Sequence, residues 1–386
     1  LRRTAMRVLG LMSGTSADGI DAVLVNLEGR PARPRWRILA SAHTPYPADL
    51  RERLVAVGQG VPLDAEALLH LAEELTEHQA LAARACDSEG RAELVGCHGQ
   101  TLWHRPPEGE RRGASWQLLQ GPLLAELLGR PVVFDFRSID LALGGHGAPL
   151  VPATDAALLG RIGGWRALLN LGGIANLTLL PPPAGPDRKA PVLGWDCGPA
   201  NTLLDLAVAR FSGGRLSFDA DGAWARQGRI DEERLQQWLR EPYLQAAPPK
   251  STGRELFGAA DLDRRLAELG ADVEPADALA TLTAFSAAVV GQDLARPQRP
   301  RPLELLVAGG GTRNGFLMEQ LRRRCHGTAV LPLASQGIAD DQREALAFAL
   351  LAWWRHRGHP GSLPSVTGAR RAAVLGVMAL PPPSGG

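Results

Sequence analysis

The chain reads as an α/β protein made of two related domains with a central cleft, and three observations predict this. Its 386 residues exceed what one ordinary core supports. Strand-like and helix-like stretches alternate along it. An opening strand–loop–strand, "LGLMSGTSADGIDAVLV" at 9–25, returns as "WRALLNLGGIANLTLLP" at 165–181. Duplication of this kind is expected to set the two loops facing one another.

Each element follows from its local pattern. Residues 6–12 and 20–27 read as strands flanking the opening loop, and "RWRILASAHT" at 35–44 as a third. Residues 64–86 carry Ala67, Leu68, Leu71, Leu75 and Ala82 at helical spacing. "AELVGCHGQT" (92–101) is a short strand running into a glycine turn. "SWQLLQ" (115–120), "GPLLAELLG" (121–129) and "PVVFDFR" (131–137) follow as strand, helix and strand. "LALGGHGAPLVP" (141–152) has linker composition. Past the second strand–loop–strand, "PPPAGPDRKAP" (181–191) is an exposed loop, and 192–211 reads as strand, Asp-x-Gly-Pro turn and helix. "LELLVAGGGTRNGFLMEQLRRR" (303–324) repeats that plan with a triple glycine. A helix covers about 340–357 and a closing strand 373–380. The first domain is therefore expected over 1–144, completed by the C-terminal strand within 365–386, and the second over 145–364.

Composition narrows the function. A net charge of +1 argues against a general nucleic-acid or membrane-surface binder. No run is long enough to span a bilayer, and the basic start leads straight into strand-like sequence, so it is not expected to be a secretion signal. Four scattered cysteines without a CxxC pair point to reduced thiols and a cytoplasmic setting. Nine histidines show no zinc spacing. Lysine occurs only at 189 and 250, and no GxxxxGK[ST] is present, so phosphate chemistry here needs another scaffold.

The opening loop supplies one. A plain hairpin needs only about two turn residues, whereas residues 13–19 offer three hydroxyls, two glycines and one acid. Backbone N–H groups in such a concavity suit phosphate oxygens. Asp18 can hold Mg²⁺ or its water shell. A capped turn whose hydroxyls bond their own backbone fits the same residues. "NLGGIAN", with Asn170, Gly172, Gly173 and Asn176, is open to the same two readings, a phosphate loop or a glycine bulge in a core strand. The occurrence of both in matching halves favours phosphate. "VAGGGTRN" places Gly309, Gly310 and Gly311 between a buried strand and a helix, with Asn314 following. It reads as an adenosine pocket or as a tight packing turn.

Candidate chemistry follows. Asp196 in "GWDCGPAN" stands at the end of a strand ahead of a helix, where acids of open α/β sheets face the ligand; it is a candidate base, the alternative being an N-cap. Asp135, Arg137, Asp140 and His146 gather in "FDFRSIDLALGGHGAPLVP", where Arg137 either binds a substrate carboxylate or pairs structurally. "HGQTLWH" offers His98, Gln100 and His104 as sugar-hydroxyl partners or loop polars. Glu344 opens an apolar helix and either positions substrate or is a first-turn glutamate.

These segments carry a resemblance. "GLMSGTSADGID", "GCHGQTLWH", "DFRSIDLALGGHGAPLVP", "NLGGIAN", "WDCGPAN" and "AGGGTRN" resemble, in order and over nearly the whole chain, the anhydro-N-acetylmuramic acid kinases. The resemblance implies the sugar-kinase, heat-shock chaperone and actin superfamily: two ribonuclease-H-like domains of the actin-like ATPase type. It implies ATP and Mg²⁺ as cofactors and a small-molecule sugar as the partner; it leaves room for a homodimer. The implied reaction opens 1,6-anhydro-N-acetylmuramic acid with water and phosphorylates O6, giving N-acetylmuramic acid 6-phosphate and ADP in murein recycling. Asp196 matches the family's base. Gly14, Thr15, Ser16, Ala17, Asp18, Gly19, Ile20 and Asp21 match its ATP-phosphate segment, with Asp18 organising the metal. Arg137 is the candidate partner of the lactyl carboxylate. Ala200 departs from a glycine more usual in the family, and its methyl is expected to crowd the phosphate slightly.

Rival readings are another sugar or acid kinase of the superfamily, a nucleotide-switched ATPase module, and a glycosidase. The last would want two catalytic carboxylates and no ATP loops.

Overall fold

A computed structural model describes residues 5–383 apart from 249 and 254; residues 1–4, where the basic start begins, lie outside the described residues. The chain divides into two compact units, residues 1–158 with 341–386, and residues 159–340.

The first unit opens with β1 (Met6–Met12), β2 (Gly19–Arg30) and β3 (Arg33–Pro45), then α1 (Ala48–Gly58) and α2 (Ala65–Cys86). β4 (Leu94–Cys97), β5 (Gln100–Arg105), β6 (Ala114–Leu118), α3 (Gly121–Leu128), β7 (Val132–Phe134), α4 (Ser138–Ala142) and α5 (Val151–Leu159) follow. The second unit holds β8 (Arg166–Leu171), β9 (Ile174–Leu180), β10 (Leu193–Pro199), α6 (Asn201–Phe211), α7 (Glu232–Trp238), α8 (Pro242–Gln245), α9 (Ala259–Leu269) and α10 (Pro275–Leu294). It closes with β11 (Glu304–Ala308), α11 (Gly315–Arg324) and β12 (Ala329–Pro332). The chain then returns to the first unit as α12 (Arg343–His356), α13 (Pro364–Thr367) and β13 (Val377–Ala379).

Both units carry the same sheet. In the first the order is β13-β7-β4-β1-β2-β3, in the second β10-β9-β8-β11-β12. In each, the first three strands run antiparallel and the fourth and fifth lie parallel on the other side of the first. That shared order and polarity is the ribonuclease-H-like arrangement, present twice. β13 adds an antiparallel edge beside β7. β5 and β6 pair only with each other, so "SWQLLQ" is a strand outside the main sheet.

β1 is buried from Val8 to Met12 because both faces of its sheet are covered. Leu9 and Leu11 share a core with Leu71 and Leu75 of α2. On the opposite face Gly10 lies so close to α12 that a Cβ there would collide with the Ala345 carbonyl, and Gly96 of β4 stands likewise against Phe348. α2 begins where Asp64 accepts a hydrogen bond from the Ala67 N–H at 2.8 Å, the cap that the helical spacing calls for.

The units do not divide where the sequence reading places its domain boundary. Residues 141–152 are a fixed part of the first unit: Asp140 accepts from the Gly147 N–H (2.8 Å) and the Thr367 hydroxyl (2.8 Å), so this stretch is not a linker. α12, expected in the second domain, packs on β1 and β4 and so belongs with residues 341–386 to the first unit.

Candidate active site

The long turn after β1 is braced from within the first unit. Ser13 is buried and its hydroxyl donates to Gln100 Oε1 at 2.5 Å, while Gln100 Nε2 donates to the Gly14 carbonyl at 2.9 Å. Ala17, at φ 50°, closes the turn by donating its N–H to that same carbonyl at 3.1 Å. Gly14 is half-buried, Thr15, Ser16 and Asp18 are exposed, and Arg51 donates to Asp18 Oδ1 at 2.6 Å. Three residues of the expected phosphate segment turn inward instead. Ala17 and Ile20 are core side chains, and Gly19 is tight against Thr44 and His43, because β2 already begins there. Asp21 meets His43 Nδ1 at 2.7 Å.

Around Arg137 the unit gathers His98, His104, Asp135 and Glu344. Arg137 donates to His98 Nε2 at 2.8 Å and to the Gly147 carbonyl at 2.8 Å. His98 Nδ1 lies 2.9 Å from the Gly99 carbonyl, so the ring is neutral with its hydrogen on Nδ1. Burial, then Arg137, push its pKa down to about 3. Burial lowers the Arg137 pKa too, Glu344 opposing, and no carboxylate among the described residues forms an ion pair with it. Glu344 keeps an exposed surface, yet the protein around it removes enough water to raise its pKa against the pull of Arg343 and Arg137. Burial lowers His104 as well, helped by Arg137 and His146. Asp135 is half-buried in a left-handed conformation, φ 50°.

Three residues expected on the substrate are therefore placed otherwise. Asp140 is fully buried and its carboxylate is committed to Gly147 and Thr367, so it shapes the segment that Arg137 grips. Gln100 is buried and braces the turn, and His98 is buried behind Arg137. A short polar motif does not distinguish a side chain that meets ligand from one that holds the loop meeting it.

In the second unit Asp196 stands opposite Asn176 within β10, an edge strand antiparallel to β9, and the register slips between Asp196 and Gly198. This corrects the strand-end placement: the acid sits mid-strand, and the bulge aims it. Its half-buried carboxylate takes three hydrogen bonds. Asn176 Nδ2 donates to Oδ1 at 2.6 Å; the Ser251 hydroxyl and the Thr252 N–H donate to Oδ2 at 2.9 and 3.0 Å. Nothing in "PPKSTG" announces this role, because the pairing spans 55 residues.

The β8–β9 turn is only Gly172 and Gly173. Their carbonyls accept from the N–H groups of Ala200, Asn201 and Thr202, and Asn201 Nδ2 donates to Gly172 at 2.8 Å. Ala200 is fully buried in this contact, so its methyl faces protein, not a phosphate. Asn170, exposed at the end of β8, lies beside Ala308 of β11, and Gly309 is so close to its side-chain oxygen that no Cβ fits between them. Beyond lies a cavity of about 440 Å³ lined by the apolar Leu204, Phe218 and Leu279, by Gly310, Arg313 and Asn314, and by Asp205, Asp219 and Asp221. Of the triple glycine only Gly310 lines it; Gly311 is packed on Leu171 and Gly309 turns at φ 90°. Asn314 also caps α11, accepting from Leu317 at 2.9 Å.

Among the described residues no three His, Cys, Asp or Glu side chains cluster as metal ligands. The exposed Asp18 carboxylate, with the Thr15 and Ser16 hydroxyls in the same turn, fits the sparse protein share of a Mg²⁺ site, where waters and phosphates supply most ligands. No helix among the described residues is long and apolar enough to cross a membrane.

Residues 6–381 match the family model for anhydro-N-acetylmuramic acid kinase. The chain is 64% identical over 379 residues to the anhydro-N-acetylmuramic acid kinase of Parasynechococcus marenigrum, covering 97% of this chain and 100% of that one. Kinases of the same name from Synechococcus sp. and Prochlorococcus marinus are 62% and 61% identical, with the same coverage.

Proposed function

The chain belongs to the anhydro-N-acetylmuramic acid kinase family, and from that premise we propose how its own residues open and phosphorylate a 1,6-anhydro amino sugar with ATP. Asp196 takes a proton from a water molecule. The resulting hydroxide attacks the anomeric carbon, the bond from that carbon to O6 breaks, and O6 attacks the γ-phosphorus, releasing ADP. Ring opening supplies the phosphoryl acceptor already held in place, so one base serves two bond changes. The products are N-acetylmuramic acid 6-phosphate and ADP.

The single observation that carries this reading is the clamped Asp196 carboxylate, aimed by a strand bulge and held by Asn176, Ser251 and Thr252. A base so fixed loses little freedom on reaching the transition state. The cavity lined by Gly310 suits the adenosine, with Leu204, Phe218 and Leu279 for the base and polar side chains for the ribose. The turn with Gly14, Thr15 and Ser16 suits the phosphates. Asp18 would hold Mg²⁺, which when bound neutralises nucleotide phosphate charge. Arg137, cationic and without an ion-pair partner among the described residues, suits the lactyl carboxylate, and Glu344 and Asp135 stand in the same unit for sugar hydroxyls. The four cysteines are free and buried, which supports a cytoplasmic setting.

The test is Asp196→Asn. It should still bind ATP and lose roughly 10²–10⁴-fold in turnover, the scale of a general base. Wild-type enzyme in heavy-oxygen water should place label on the anomeric hydroxyl. Near-normal turnover of the variant, or phosphorylation without label, would overturn the proposal.

A further inference from the structure

Two chain segments meet at Asp196, and one buried carboxylate holds both. Asp293, near the end of α10, is 1% exposed. Its Oδ2 accepts from the Trp195 indole at 2.9 Å and lies 3.2 Å from Lys250 Nζ. Trp195 directly precedes the candidate base. Lys250 directly precedes Ser251 and Thr252, which donate to that base, and its own carbonyl accepts from the Asp196 N–H at 3.1 Å. Tyr243 completes the frame: its hydroxyl donates to the Asp196 carbonyl at 2.9 Å, and its ring lies 5.1 Å from Lys250 Nζ.

Physical chemistry says this pair is costly and needs a reason. The Lys250 side chain is 4% exposed, so its ammonium has given up water for one carboxylate and one ring face. Burying an ion pair is weak evidence for stability, since desolvation offsets much of the attraction. Asp293 already has Arg296 at 3.1 Å and Arg299 at 3.7 Å, so it has no shortage of cations. In a chain where arginine supplies all but two of 42 lysines and arginines, a lysine here is also out of pattern. What the lysine adds is a tether. Residues 250–252 lie outside regular secondary structure, with no ladder to fix them. A buried ammonium anchored to a long helix fixes them instead.

We infer that Lys250 and Asp293 are positioning residues for the reaction: their ion pair holds the 250–252 segment so that Ser251 and Thr252 keep the Asp196 carboxylate aimed. This rests on Asp196 being the base. A loosened tether displaces the carboxylate by a fraction of an ångström to an ångström, and misplacement on that scale costs up to about 10²-fold in rate.

The experiment measures kcat and KM for ATP and sugar in Lys250→Met, Lys250→Arg and Asp293→Asn, each alone and in the Asp196→Asn background. Lys250→Met should lower kcat about 10- to 100-fold with KM for ATP unchanged. Lys250→Arg should recover part of that loss. In the Asp196→Asn background the same changes should have little further effect, because the group they aim is gone. Asp293→Asn keeps an acceptor for Trp195 and carries the test if Lys250→Met does not fold. Lys189→Met, on the exposed loop, is the control. Equal losses with and without Asp196, or a change confined to KM, would overturn the positioning role alone. Near-normal turnover of Asp196→Asn by itself would instead overturn the base assignment beneath it.

Discussion

Protonating His98 should destabilise the first unit and unfasten Arg137. The ring is 3% exposed, with Nδ1–H directed to the Gly99 carbonyl and Nε2 accepting from the Arg137 guanidinium. A second ring proton would set an N–H against that cation. Burial, and after it Arg137, therefore bring the folded-state pKa from 6.5 to about 3. The unfolded chain binds this proton near pH 6.5 and the folded one only near pH 3. Neutral His98 thus contributes stability that is fully present above pH 6.5 and is lost as pH falls towards 3. The slope within that window is about 1.4 kcal/mol per pH unit, or roughly 2–3 kcal/mol between pH 7 and 4.5. Urea unfolding of wild type and His98→Gln at those two pH values isolates the term from the other titrating groups. The variant, whose amide oxygen can still accept from Arg137, should lose less stability on acidification by about that amount. Equal acid losses in the two proteins would refute a neutral, buried His98.

Two further outcomes follow from the packing. Gly10→Ala places a methyl against the backbone of α12, where no side chain can yield, and should cost about 1–3 kcal/mol or more in urea unfolding; unchanged stability would mean that α12 does not lie on β1. Phe218→Ala strips an aromatic wall from the cavity at Gly310 and should raise the KM for ATP about tenfold, with kcat little altered, on the scale of one base-stacking contact; an unchanged KM would place the nucleoside elsewhere.

What could be read from the sequence was whatever local spacing determines. The two strand–loop–strand units, α2 and the triple-glycine turn were legible because alternation, helical period and glycine each act over a few residues. Strand polarity was not. β10 resembles a strand feeding a helix in a parallel sheet, but its partner is β9, an antiparallel neighbour, and only the fold decides this. Polar residues were legible as a set and not by role. Gln100 shares a motif with His104, and Asp140 shares one with Arg137, yet burial turns both into braces. Ser251 and Thr252 escaped because their partner lies in a strand more than fifty residues away, and Asp293 because a helix buried almost throughout hides one acid among alanines and valines.

The duplicated fold also repeats one way of holding a turn. The turn of the first hairpin in each unit, where phosphate is proposed to bind, has carbonyls that need partners. Both units solve this with a neutral carboxamide: Gln100 Nε2 donates to Gly14, and Asn201 Nδ2 donates to Gly172 and, at 3.0 Å, to Leu171. A lysine in either place could donate as well, but as a point charge with a long, mobile stem it would fix the backbone less firmly. An ionised carboxylate has no hydrogen to donate to a carbonyl. With the carbonyls fixed by amides, the turns keep backbone N–H groups and hydroxyls for the proposed phosphate contact, which needs no side-chain cation.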